Sequence, residues 1–262
     1  MVSERNMPAR IGTAGWSIAA RYADGFPHEG FALERYAARL SCVEVNSSFY
    51  RSHRPETWSR WGAIVPHDFR FSVKVPRTIT HERALVDCGD PIAKLLDETA
   101  GLGDKLGVLL VQMPPKLVFD SAIAGTFLHQ LTAATAARVV CEPRHASWFA
   151  DEADDLLASL RIARVAADPA RVPAAAMPGG WRGFSYWRLH GSPVVYHSPY
   201  GADRLKSYGA QLAQAESAAP AWYIFDNTAS FAALGDALAL GDMLSGRDAD
   251  RGLDGLASRD RS

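Results

Sequence analysis

Residues 139–148 read VVCEPRHASW, a short apolar run that ends in Glu142, Arg144, His145 and Trp148. A β-branched apolar run predicts a buried strand, and polar groups crowded at its C-terminal end belong where a parallel sheet opens to solvent. A buried ion pair closing the strand would give the same local pattern, since structural networks also gather charge. The decision rests on whether other strands end the same way. Working outward, CVEVN at 42–46 ends on Glu44 and Asn46, and FRFSVKV at 69–75 carries Lys74. GVLLVQMPP at 107–115 stops at a double proline and leaves Gln112 at its mouth.

The remaining strands repeat the pattern. RIGTAGW at 10–16 leaves through glycines and sets Trp16 at its end, and IARVAAD at 162–168 ends on Asp168. FSYWRLHG at 184–191 delivers Arg188 and His190, and AWYIFDN at 221–227 delivers Asp226 and Asn227. Helical spacing fills the gaps, at 31–40, from Pro55 through Trp58 and Trp61, and over 91–103, 121–137, 151–160, 203–217 and 230–244. Strands near 11, 43, 71, 109, 140, 165, 187 and 224 therefore alternate with helices. That alternation predicts an α/β fold, a single (β/α)8 barrel of the TIM type over 10–244, with its working face at the strand C-termini. GTAGW lacks the GxGxxG spacing of a dinucleotide site. Residues 1–9 read as a flexible N-terminus. From 245 to 262 the composition turns to Arg, Asp, Gly and Ser and predicts a polar tail without a core.

Composition bounds the partners. With 28 Lys and Arg against 29 acids the net charge is −1, so no basic field favours nucleic acid or an anionic membrane. No apolar run approaches the ~20 residues that span a bilayer, and the N-terminus lacks a signal core, which points to the cytoplasm. Cys42, Cys88 and Cys141 are widely spaced without a CxxC pair and read as reduced, buried thiols. Oligomeric state is not written in the sequence.

Seven motifs, IGTAGWS, VEVNSSFY, RFSVKVPRTITH, GVLLVQMPP, EPRHASWF, RLHG and FDNTAS, occur in one order over residues 10–244. In that order the chain resembles the YecE-like family, domain of unknown function 72. The resemblance implies a barrel of the triosephosphate isomerase type without an assigned reaction. Carried over motif by motif, the family's polar positions fall on Trp16, Glu44, Asn46, Tyr50, Lys74, His81, Gln112, Glu142, Arg144, His145, Trp148, Asp168, Arg188, His190 and Asn227. Two positions depart from the pattern. Phe231 replaces the glycine of an NTASG motif and Asp236 replaces an Asn, which affects the corner after the eighth strand.

Parity along the strands sends Glu142 with Arg144, and Arg188 with His190, to one side. Two carboxylates in one cavity can divide acid and base duties, which makes Glu44 and Glu142 the candidate pair and His190 a second proton-transfer group. Lys74 can stabilise an oxyanion, form an imine or pair with Glu44. Arg144 and Arg188 are expected to clamp an anion, and Trp16, Tyr50 and Trp148 offer flat faces to a sugar or base. Trp58, Trp61 and Trp187 are expected in the core. His81 and His145 are loop residues expected to touch substrate. Glu142, Asp168, His190 and Asp226 are hard ligands, but Lys74, Arg144 and Arg188 would neutralise them, so no metal and no cofactor is expected. The favoured expectation is a metal-independent acid/base enzyme, a hydrolase, lyase or isomerase acting on a small anionic, phosphorylated or carbohydrate-like ligand. Two alternatives stand beside it: a non-catalytic module binding a nucleotide, nucleic acid or phosphorylated ligand, and a divalent-metal barrel of the sugar isomerase or phosphodiesterase type.

Overall fold

Each predicted strand becomes a stave of one closed ring in the computed structural model, which describes residues 9–215 and 219–257. The staves are β1 (Arg10–Ala14), β2 (Cys42–Val45), β3 (Arg70–Lys74), β4 (Leu106–Gln112) and β5 (Arg138–Glu142). The sixth is broken into β6 (Ala163–Arg164) and β7 (Ala166–Asp168). A two-residue strand, β8 (Gly179–Gly180), adds antiparallel to β6, and β9 (Ser185–Leu189) and β10 (Ala221–Phe225) complete the set. Neighbours run in parallel from β9 through β10 and β1 to β6. β7 then returns to β9, so the broken stave joins the two edges. The chain is thus a single (β/α)8 barrel. Residues 1–8, most of the expected flexible N-terminus, lie outside the described residues.

Alternation along the staves separates two cores. Cys42, Val108, Leu110, Val140, Val165 and Ile224 fill the barrel interior, closed below by Phe184 and Trp222. Val43, Val73, Leu109, Cys141, Leu189 and Phe225 face out under the helices. Each such fully buried Val, Leu or Phe stabilises by about 1.5–3 kcal/mol. Trp58 and Trp187 join the outer core as expected, Trp61 packs partly buried against it, and all three cysteines are buried and free.

The helices are α1 (Ala32–Ala37), α2 (Pro55–Ile64), α3 (Gly89–Thr99), α4 (Ser121–Ala134), α5 (Asp151–Ser159), α6 (Ala202–Ala215) and α7 (Ala232–Ala257). Pro55 opens α2 where its missing N–H costs nothing, and Asp120 caps α4 by accepting from the Ala122 and Ile123 amides, each at 3.0 Å. Two segments differ from expectation. The loop after β3 contains one π-helical turn, Thr78–Glu82. The polar stretch from 245 continues α7 to Ala257, because a formed helix gains one bond per added residue and no proline stops it. Residues 258–262 lie outside the described residues. Phe231 takes φ 57°, the left-handed conformation that suits the glycine it replaces, with its side chain about half exposed.

Candidate active site

The C-terminal end of the barrel gathers its charge on one side chain. Arg188, on β9, is 0% exposed. Its Nε and Nη2 donate to Glu44 Oε2 and Oε1 at 3.0 and 2.7 Å, a bidentate fork. Nη2 also donates to Asp226 Oδ2 at 2.8 Å, and Nη1 to Glu142 Oε2 at 2.8 Å. Burial alone would lower its pKa, but Glu44, Asp226 and Glu142 together raise it well above the ordinary value. The guanidinium is therefore the internal counter-ion of three strands. The expected anion clamp is corrected at this position, since a fully buried fork whose donors are spent on protein carboxylates is not presented to a ligand. Below it, the Tyr186 hydroxyl donates to Glu44 Oε2 at 2.9 Å and lies 2.8 Å from Ser72 Oγ.

Above it stands His190. Nδ1 lies 3.0 Å from Asp226 Oδ2, and Nε2 lies 3.3 Å from Glu142 Oε1. Burial pushes the imidazole pKa down, but the hydrogen bonds to Asp226 and Glu142 outweigh it, so the net shift is upward. With a carboxylate on each nitrogen, the imidazolium is the form that satisfies both. Glu142 also accepts from Gln112 Nε2 at 3.0 Å and from Arg144 Nη2 at 3.2 Å. Its burial is overcome by Arg188, His190 and Arg144, which hold the carboxyl well below the usual range. Burial of Asp226 is likewise overcome by Arg188 and His190.

Lys74 reaches the same mouth from β3. Its Nζ sits 4.1 Å from the centroid of Phe49, and the residue is 5% exposed. Burial, then Arg188, lowers its pKa to about 8 against the opposing pull of Glu44, Glu142 and Asp226. Paired with Glu44 it is not, because Glu44 is taken by Arg188.

Beside this cluster lies a pocket of about 160 Å³ whose wall includes Glu142, Arg144, Pro169, Arg171, His190 and Tyr196. Arg144 keeps 17% of its side chain exposed there, bonded to Glu142 and, at 3.5 Å, to the Tyr196 hydroxyl. Tyr196 packs edge-on over His190 with centroids 5.5 Å apart.

Other expected site residues fall elsewhere. Asp168 shares the outward parity of Ala166 and turns to α6, where it accepts from Arg204 at 2.8 Å and from Tyr208. Asn227 is buried and donates to Ser198 O at 2.9 Å and Asp236 Oδ2 at 2.6 Å, so Asp236 serves as an acceptor at the corner. Trp148 is 1% exposed, donates to Leu117 O at 2.9 Å and packs on Phe119. It is core, not a stacking face. His145 is turned inward on its own turn, with Nδ1 at 2.8 Å from Ser147 Oγ. Trp16 packs edge-on against Trp61. Tyr50 is 69% exposed and lines a separate cleft of about 460 Å³ with Arg51, Arg77 and Arg83. Asn46 starts the turn after β2, and its Oδ1 has no hydrogen-bond partner among the described residues. His81 contacts Phe49, and its pKa is lowered by burial and then by Lys74 and Arg144. Sequence reasoning missed Tyr186, although it shares the parity of Arg188 two residues on. It also missed Tyr196, for which a loop gives no periodic signal.

Comparison with known proteins gives four matches that bear on the chain. A family model described as protein of unknown function DUF72 matches residues 10–258. The UPF0759 protein YecE of Escherichia coli K12 is 37% identical over 83 residues, 32% of this chain and 30% of that protein, so the match spans less than a third of the relative's length. A DUF72 family protein from Enterococcus faecalis V583 superposes with TM-score 0.76 at 20% identity, over 90% of this chain and 95% of that one. Another from Thermotoga maritima MSB8 gives TM-score 0.73 at 21% identity, over 91% and 100%.

Proposed function

The chain belongs to the DUF72 family, which brings a fold but no reaction, and from its own residues we propose an acid/base enzyme acting on a small anionic ligand. One observation carries the reading: His190 is held by Asp226 and Glu142 at the wall of a pocket that Arg144 also lines. A doubly accepted imidazolium is a positioned proton donor, and the two carboxylates fix its ring as the proton leaves and returns. Arg144, partly exposed beside it, is the group suited to a phosphate or carboxylate of the ligand. A pocket of about 160 Å³ suits a compact phosphorylated or carbohydrate-like molecule, and turnover as a hydrolase, lyase or isomerase needs only such proton transfers.

The charge arrangement favours chemistry without a metal. A divalent site would draw on Glu142, Asp168, His190 and Asp226, but Asp168 is engaged by α6 and the guanidinium of Arg188 stands where a cation between Glu142 and Asp226 would.

The test is a panel of small phosphorylated and carboxylated sugars, scored by thermal shift and by product mass. The reading expects a ligand that both stabilises and turns over. His190→Gln should lower turnover by about 10²–10⁴-fold with little change in binding. Arg144→Lys keeps charge but loses the fork and should weaken binding by about 1.5–3 kcal/mol, or ~10- to ~150-fold. A ligand that binds through Arg144 and is never converted would identify a binding module instead.

A further inference from the structure

We propose that Lys74 is an amine nucleophile that forms an imine with a small aldehyde or ketone at the barrel mouth. This deepens the acid/base reading, on which it rests, by naming the substrate class: a carbonyl compound bearing an anionic group.

The geometry of the lysine carries the inference. Lys74 is 5% exposed, yet among the described residues no carboxylate lies within 4.0 Å of its Nζ. A buried lysine with a purely structural role is normally paired. Here three carboxylates share its mouth, and all three are committed to Arg188. What Nζ meets instead is the face of Phe49, 4.1 Å from its centroid, a weak cation–π contact that leaves the amine without a carboxylate partner. Burial and the nearby guanidinium, with the pKa brought to about 8, do the rest. At pH 7.5 the free amine is on the order of a hundredfold more abundant than for a lysine of ordinary pKa. Lys94, Lys116 and Lys206 are exposed and have no such environment.

The step balances with one proton. The Nζ lone pair forms the C–N bond while the carbonyl π pair moves to oxygen, and a proton passes from nitrogen to that oxygen to give the carbinolamine. A second proton, for which His190 is the protonated group of the cluster, lets the hydroxyl leave as water. The sum is amine plus carbonyl plus one proton, giving protonated imine plus water. The new cation stands where the ammonium would have stood, so Glu44, Glu142 and Asp226 face the same charge before and after.

Reductive trapping tests this on the wild-type protein. Glyoxylate, pyruvate and dihydroxyacetone phosphate are each incubated with it and sodium cyanoborohydride, whose hydride reduces the C=N bond to a stable secondary amine. Labelled lysines are located by peptide mass. The expected result is labelling of Lys74 by at least one probe, roughly tenfold or more above Lys94, Lys116 and Lys206. Inorganic phosphate should slow labelling at Lys74 and leave the other three unchanged. Labelling of the exposed lysines with none above their level at Lys74, for all three probes, overturns the proposal. The two readings fail separately. If phosphate raises the melting temperature through Arg144 while Lys74 stays unlabelled, only the imine is lost. If Lys74 labels fully in Arg144→Lys and His190→Gln, the imine stands and the acid/base assignment falls.

Discussion

Arg188 is the residue on which the barrel's upper half depends. Replacing it with Lys keeps one charge but leaves the Glu44 fork, Glu142 and Asp226 to share it. Breaking buried pairs of this kind costs about 3–5 kcal/mol, so urea unfolding of Arg188→Lys should show a loss of that order with no ligand present. Strand parity alone directs Arg188 and His190 inward. That three acids from three other strands meet one guanidinium depends on stave lengths and stagger, which no single segment encodes. Lys74 makes the opposite contribution. Its folded pKa of about 8 lies below its ordinary 10.5, so the folded state binds fewer protons in that window and stability should climb as pH rises from about 8 to 10.5. In Lys74→Met that climb should vanish from melts across the same range, and stability at pH 7 should rise. Unchanged slopes would contradict the burial of a charged amine.

At the scale of elements, two patterns were readable: RFSVK alternates and VVC is a continuous apolar run, and they become β3 and β5, each buried on both faces. Where parity was misjudged, the reason is local: in IARVAAD, Val165 faces the interior, so Asp168, three positions on, must face out with Ala166. Trp148 looked like a ligand platform because it follows a polar strand end, yet a short turn over Ala146–Phe149 folds it back into the core. The start of one helix carries a side chain that accepts from the backbone. Asp120 does so for α4, and Asp120→Ala should cost about 1 kcal/mol in chemical denaturation, while the pocket's ligand affinity stays unchanged because α4 contributes nothing to its wall.

For the whole molecule, the charge cluster sets a stability optimum in pH. Glu142 and Asp226 have lowered folded pKa values, so their contribution is present above the ordinary carboxylate range of about 4 and is lost as pH falls through the folded values. His190 is raised, so its contribution is full below 6.5 and is lost as pH rises through the folded value. On these three groups melting temperature should crest between about 4.5 and 6.5 and fall above that, before the Lys74 climb sets in near pH 8. His190→Gln should flatten the fall on the alkaline side only. Barrel closure followed from counting alternations in the sequence, but the broken sixth stave did not, because a break at Val165 leaves the apolar pattern intact. That stave holds β5 through two residue pairs and β9 through three, whereas β4 and β5 share five. The hoop thus has a clasp. Amide hydrogens of 163–168 should exchange with deuterated water sooner than those of β4, and the clasp contributes Ala167 to the pocket wall, which Pro169 and Ala170 continue. A small molecule bound there would fasten it, so slower exchange at these six residues would report occupancy even before its chemistry is known.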